Sequence, residues 1–343
     1  MTELEALLLD HLESSGPVSF AAFQETALYH PEHGYYSQDV ERSGWRGHFL
    51  TSAELDPAFG ALWAIAFRRT WESLGKPDEF EIVEIGPGEG GFARAVLDAA
   101  GGDFADALSY RLVERLPKLV ERQMARLSAF DNVMWSSSIE EVVGIAAGCI
   151  FANEVLDNLP VHLLEQRGGA LVELFVAAEG GELVLRPDRV SDPALEDLVA
   201  AAGLRYEEGH RVEVGLAAIE FTRAAAKALR RGNVVLVDYG VTWAELERRP
   251  SGTLLSYSSS GTDEGLLERP GEKDITSHAN WDLVRGALEA ERYEAAGPTS
   301  QAEVLRELGL GRVEHSFAAS HRELAAAGRG AEAVRALSRH QAL

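Results

Sequence analysis

Between Phe80 and Gly91 the chain reads Phe-Glu-Ile-Val-Glu-Ile-Gly-Pro-Gly-Glu-Gly-Gly, an apolar run carrying the carboxylate of Glu84 into a glycine-rich turn. Glycine takes positive φ freely and, lacking Cβ, lets a ligand come close to the backbone. The amides that open a following helix then face that ligand. Gly86, Gly88 and Gly91 fit the G-x-G-x-x-G fingerprint of dinucleotide sites, whereas Glu84, Gly86, Gly88 and Gly90 fit E-x-G-x-G-x-G, the form used with S-adenosylmethionine (SAM). Spacing alone does not choose between them, and a glycine turn that binds nothing is a third reading. Glu84 favours SAM, because a carboxylate there can meet the ammonium of a methionine and would repel a pyrophosphate. Both ligand readings need an acid at the end of the next strand, about 20 residues on, for ribose hydroxyls. Tyr110-Arg-Leu-Val-Glu114 supplies it in Glu114.

A second group follows at Ala152-Asn-Glu-Val-Leu-Asp-Asn-Leu-Pro160, after another apolar run. It puts Asn153 and the carboxylates of Glu154 and Asp157 at the end of a strand. Methyl transfer is an in-line displacement, so an enzyme mainly positions a neutral nucleophile and manages its proton. A carboxylate that takes two N–H bonds of a guanidinium in fork geometry would orient the remaining nitrogen. Glu154 and Asp157 are the candidate catalytic pair. The local alternative is that Asp157 or Asn158 caps a helix and Glu154 bonds nearby amides. His162 is either a base or a packed core histidine.

The elements that must carry these groups alternate. Strands are expected at 80–85, 109–114, 132–135, 149–153 and from Val234, with helices at 90–100 and 116–128. Strand–helix alternation implies a parallel sheet whose ligand crevice lies beyond the carboxyl ends of its strands, an α/β, Rossmann-like arrangement. Helices at 2–14 and 19–30 precede it, the second with Ser19 as N-cap, and a long aromatic, glycine-rich loop leads to Asp56-Pro57, which opens a helix reaching about Leu74. Further strands are expected at 163–166, 171–177 and 183–187, and a helix at 221–229. The serine-rich run from Thr253 to Gly261 reads as a loop or lid, and Thr276 or Ser277 as the cap of the next helix. This gives an N-terminal helical and loop cap over 1–76 and a cofactor-binding domain over 77–343, with insertions near 186–230 and 253–275.

Composition narrows the partners. Thirty-two basic against 55 acidic residues leave a net charge of −23, a field that repels nucleic acid and attracts a basic protein or peptide. One cysteine, Cys149, excludes an intramolecular disulfide and a cysteine-rich metal site, and no metal is expected. No apolar stretch is long enough to span a membrane, and the acidic N-terminal run does not read as a signal peptide, so a cytoplasmic protein is expected.

The chain also resembles the MidA/NDUFAF7-like family of class I methyltransferases. The motifs that carry the resemblance are Tyr29-His-Pro-Glu-His-Gly-Tyr-Tyr36, Gly47-His-Phe-Leu-Thr-Ser-Ala-Glu54 with Phe59-Gly60, Val83-Glu-Ile-Gly-Pro-Gly-Glu-Gly90, Leu112-Val-Glu114, Ala152 to Pro160, Val237-Asp-Tyr-Gly240 and Pro270-Gly-Glu-Lys-Asp-Ile-Thr-Ser-His278. The resemblance implies a SAM-dependent protein arginine methyltransferase, the mitochondrial member of the family modifying an arginine of a respiratory complex I subunit during assembly. It implies that the glycine turn and Glu114 hold SAM, with Thr51, Ser52 and Asn153 beside them, while Glu54, Tyr35, Tyr36 and Phe49 shape the acceptor side. His48, Ala53 and Glu89 depart from the family, as does the segment after Gly252. That rewritten segment raises an alternative, a SAM-binding assembly factor that clasps its partner, beside a small-molecule methyltransferase.

Overall fold

Five apolar runs form a parallel sheet in the order Gly232–Val237, Gly148–Asn153, Phe80–Ile85, Leu108–Val113 and Val133–Ser136, here called its fifth, fourth, first, second and third strands by chain position. The computed structural model describes residues 1–38, 57–203, 206–258, 261–263 and 265–310. The described chain falls into two units. One contains the parallel sheet and comprises 57–154, 223–237 and 293–310; the other comprises 1–38, 155–222 and 238–292.

In the parallel-sheet unit the central strands Phe80–Ile85 and Gly148–Asn153 are buried almost throughout, as the inner strands of a parallel sheet are. The helix Pro57–Ser73 packs on the helix Gly91–Ala99, and Gly60 makes that approach possible: a Cβ there would lie 2.6 Å from the Cβ of Ala95. Beneath them Phe92 stacks on Phe151 at 4.5 Å, with Phe59, Trp63 and Phe67 around the pair. The Phe59-Gly60 motif is therefore a packing device, a bulky ring beside a residue whose missing Cβ lets two helices touch.

The second unit is built on the helices Glu3–Ser15 and Phe20–Tyr29, the latter capped by Ser19 Oγ, which accepts from the Ala22 amide. Its antiparallel sheet pairs Ala170–Glu179 with His162–Arg167, Glu182–Asp188 and Val18–Ser19, and His162–Arg167 with Arg211–Val214. The helix Pro193–Ala201, capped by Asp192, closes a core of Leu164, Leu195, Val199, Val212 and Val214.

Three expectations are corrected here. The run after Thr253 is not a loop or lid: Leu255–Ser258 is the middle strand of a three-stranded antiparallel sheet between Gly261–Asp263 and Asp274–Thr276. Pairing on both edges overrides the weak strand preference of its serines, and Ser256 is fully buried. The next helix, Trp281–Ala290, is capped by Asn280 rather than Thr276 or Ser277, since Asp274–Thr276 and Ala279–Asn280 are strands. The helix expected at 221–229 runs Leu216–Ala228. Among the described residues no helix is long and apolar enough to cross a membrane.

Candidate active site

The turn after the first strand takes its shape from glycine. Gly86, Gly88 and Gly90 have φ of 65°, 53° and 78°, a region that side chains with a Cβ rarely adopt. The Gly86 amide donates to the Val113 carbonyl at 3.2 Å, and Gly90 caps the helix Gly91–Ala99 without any side-chain bond to its opening amides. Glu84 is buried and accepts from the Tyr110 hydroxyl at 2.6 Å; burial and the Glu84 charge together push the Tyr110 phenol well above its ordinary range. Glu114, at the end of the second strand, is also buried. Its Oε1 accepts from the Leu116 amide at 2.9 Å and its Oε2 from Gln123 Nε2 at 3.2 Å. Burial raises this carboxyl to about 7 even against those bonds and the neighbouring Arg115.

Gln123, on the helix Pro117–Arg126, is a residue that sequence reasoning missed. Its side chain is wholly buried, Nε2 donates to the Gly88 carbonyl at 2.7 Å as well as to Glu114, and Oε1 accepts from Trp135 Nε1 at 3.1 Å. One amide thus ties the glycine turn, the candidate ribose acid and the third strand together. A Cβ on Gly90 would come within 3.3 Å of its Cγ. A buried amide on an otherwise amphipathic helix is the signal that could have found it. Glu89, one of the departures from the family, bonds Arg122 on the same helix at 2.8 Å.

At the end of the fourth strand Asn153 Oδ1 is out of water with no hydrogen-bond partner among the described residues. Glu154 follows in the left-handed region at φ 53°, its amide donating to the Val237 carbonyl at 2.8 Å. A non-glycine residue held there costs on the order of 1 kcal/mol or more and persists only where its surroundings impose it.

In the other unit, the turn Leu156–Asn158 is gripped by Asp238. Its Oδ2 accepts from the amides of Val155, Leu156 and Asp157 at 3.0, 2.7 and 3.2 Å. Burial raises Asp238 to about 7 although four amides pull the other way. Asp157 and Asn158 are both buried, and Asn158 Nδ2 donates to Asp274 Oδ1 at 2.9 Å. The Tyr36 hydroxyl lies 2.9 Å from Asp274 Oδ2 and 3.1 Å from Asn158 Oδ1, so it donates into the same pair. Burial above all, then the charge of Asp274, lifts the Tyr36 phenol well above its ordinary range. Tyr35 is buried edge-on against Tyr36 at 5.1 Å. His162 Nδ1 is 2.7 Å from Glu173 Oε1, a buried carboxylate that also accepts from the Ser191 amide. Phe49, Thr51, Ser52 and Glu54 lie outside the described residues.

Residues 62–299 match the family model described as "Putative S-adenosyl-L-methionine-dependent methyltransferase". The chain belongs to this family. It is 27% identical over 340 residues to the Xenopus tropicalis protein named protein arginine methyltransferase NDUFAF7, mitochondrial, covering 88% of this chain and 75% of that one. The human protein of the same name is 26% identical over 337 residues, 88% of this chain and 72% of its own. A Burkholderia thailandensis protein crystallised with S-adenosyl-homocysteine superposes with a TM-score of 0.82 at 27% identity, covering 97% of this chain and 86% of that one.

The parallel-sheet unit of this SAM-dependent methyltransferase suits its cofactor. Gly86 and Gly88 put positive-φ backbone without Cβ atoms in the turn, and Asn153 Oδ1 has no hydrogen-bond partner among the described residues. Glu114 is the buried acid at the end of the second strand, where a carboxylate can meet ribose hydroxyls. The N-terminus of the helix Gly91–Ala99 adds donors.

Proposed function

We propose that this methyltransferase acts on an arginine of a basic protein segment. SAM supplies an electrophilic methyl group on its sulfonium. On this reading Glu84, the turn at Gly86, Gly88 and Gly90, Glu114 and Asn153 hold the cofactor, with Thr51 and Ser52 beside them. Glu154 and Asp157 take N–H bonds of the guanidinium and orient the accepting nitrogen, and Tyr35, Tyr36, Phe49 and Glu54 shape the acceptor side. The observation that carries the reading is Glu154: a carboxylate one residue beyond the sheet whose backbone is held in the left-handed region, an outlier of the kind that clusters at active sites. The names of the relatives support the acceptor class, as does a net charge of −23, which draws in basic peptides. The clasping alternative rests on the rewritten segment after Gly252, but Leu255–Ser258 is an ordinary paired strand.

The test is mass spectrometry after incubation with isotopically labelled SAM, first on an arginine-containing glycine-rich peptide and then on a respiratory complex I subunit. Labelled arginine is the expected product. Glu154→Gln and Asp157→Asn should each lower the rate about 100-fold or more while S-adenosyl-homocysteine affinity stays within twofold. Label confined to small molecules would refute the arginine assignment. A cytoplasmic location is likewise our proposal beside relatives named as mitochondrial, and fractionation of cells expressing the tagged chain tests it.

A further inference from the structure

The turn that carries Gly86, Gly88 and Gly90 holds one ionisable side chain, Glu89. Positive-φ glycines on either side of it make the turn a stretch with much conformational freedom to lose. Inside the turn the Gly90 amide donates to the Pro87 carbonyl at 2.9 Å. Further restraint comes from the helix Pro117–Arg126, where Arg122 Nη1 donates to Glu89 Oε1 at 2.8 Å and the next residue, Gln123, donates to the Gly88 carbonyl at 2.7 Å. Successive side chains on a helix diverge by about 100°, so the two reach the turn from different directions. The same helix is fastened to the one that follows the turn, since Arg94 Nη1 donates to the Arg126 carbonyl at 3.3 Å.

The two grips differ in kind. Gln123 is wholly buried and also serves Glu114 and Trp135, so its bonds belong to the core of the fold. The Arg122 guanidinium and the Glu89 carboxylate are 34% and 18% exposed. An ion pair that wet adds little to global stability. Its effect falls on the turn itself, because a group ordered before binding is one that the ligand does not have to order.

We infer that Arg122 and Glu89 are a positioning pair for the cofactor: their ion pair pre-orders the glycine turn and so sets cofactor affinity through the turn's conformation. This rests on the reading that the turn holds SAM and is independent of the methyl acceptor. Salt gives it a signature. The ammonium and carboxylate of S-adenosyl-homocysteine cancel, so the field of a chain with net charge −23 acts weakly on this ligand, and a salt-dependent affinity reports the pair.

The experiment measures S-adenosyl-homocysteine affinity by calorimetry, and hydrogen exchange across residues 86–91 without ligand, in wild type, Glu89→Gln, Arg122→Gln and the swapped double variant Glu89→Arg/Arg122→Glu. Each single variant should bind at least about fivefold more weakly and exchange at least about fivefold faster, with its melting temperature close to that of wild type. Wild-type affinity should fall between about 50 mM and about 500 mM salt, and the single variants should respond less. The swapped variant should regain most of the affinity and the slow exchange, and it decides the matter even where a single variant melts early. Wild-type affinity and exchange in both single variants overturn the inference, and so does a swapped variant no better than the singles. A wild-type turn that gains no protection when S-adenosyl-homocysteine binds refutes the placing of the cofactor on this turn, and this inference with it.

Discussion

Gln123→Met keeps the shape of a fully buried side chain and removes its hydrogen bonds to the Gly88 carbonyl, Glu114 Oε2 and Trp135 Nε1. The two bonds to neutral groups are worth about 1 kcal/mol each net, and the one to a carboxylate about 1.5–3 kcal/mol. Trp135 is half-buried, so water recovers part of its share, and a total of about 3 kcal/mol is expected. The loss divides between the fold and the cofactor, because the same amide braces the turn and the acid on either side of the ligand. Calorimetry should show S-adenosyl-homocysteine binding weakened at least tenfold, which is about 1.4 kcal/mol, and denaturant titration should show the remainder as lost stability. A second signature follows from charge. Gln123 is one of the donors that pull Glu114 down toward its value of about 7, so without it the midpoint of the pH dependence of binding should move up. Affinity within twofold of wild type, together with unchanged stability, would refute the reasoning.

Glu114 is raised to about 7, so ribose hydroxyls meet an ionised acceptor only above that pH. S-adenosyl-homocysteine affinity should therefore rise from pH 6 to pH 8 and be weaker and flat in Glu114→Gln. The raised value also means that the fold holds this proton more tightly than the unfolded chain. The associated stability is present below the ordinary carboxyl value of 4.5 and is lost as pH rises through about 7, so ligand-free melting should fall less steeply over that window in the variant. Glu154→Gly relieves a left-handed backbone and should raise stability by about 1 kcal/mol while abolishing peptide methylation. A variant that gains stability and keeps its rate would remove Glu154 from the reaction.

The parallel sheet was legible because its signals are local. Each strand is a short apolar run, and Phe80–Ile85 begins and ends where periodicity puts it. Glu114 was legible for the same reason, as an acid at a strand end. What sequence did not disclose depends on tertiary pairing. Leu255–Ser258 is a strand only because two others flank it, and Arg211–Val214 passes unnoticed as four residues beside a loop. Asp238 stood in view as one more acid after an apolar strand, but its work, accepting three amides from a turn about 80 residues earlier in the chain, is visible only in space. Tyr36 was read for the acceptor side from its aromatic loop, and the structure puts its hydroxyl in a closed exchange with Asn158 and Asp274.

That exchange bears on how a flexible acceptor segment can be met by a turn rigid enough to orient it. Tyr36, Asn158 and Asp274 come from three separated motifs and satisfy one another. The turn they hold is also gripped through its amides by Asp238 and through the Asp157 carbonyl by Ser277. Side chain, amide and carbonyl are thus all bound, to the stretches around Tyr36, Asp238 and Asp274–Ser277, which leaves the turn little freedom to lose when a ligand binds. Orientation entropy already lost in folding is not lost again in the reaction. That saving matters most for a methyl transfer, which needs in-line geometry and little covalent chemistry from the protein. Glu154, just before the turn in sequence, has its backbone in the left-handed region, which a residue with a Cβ rarely adopts.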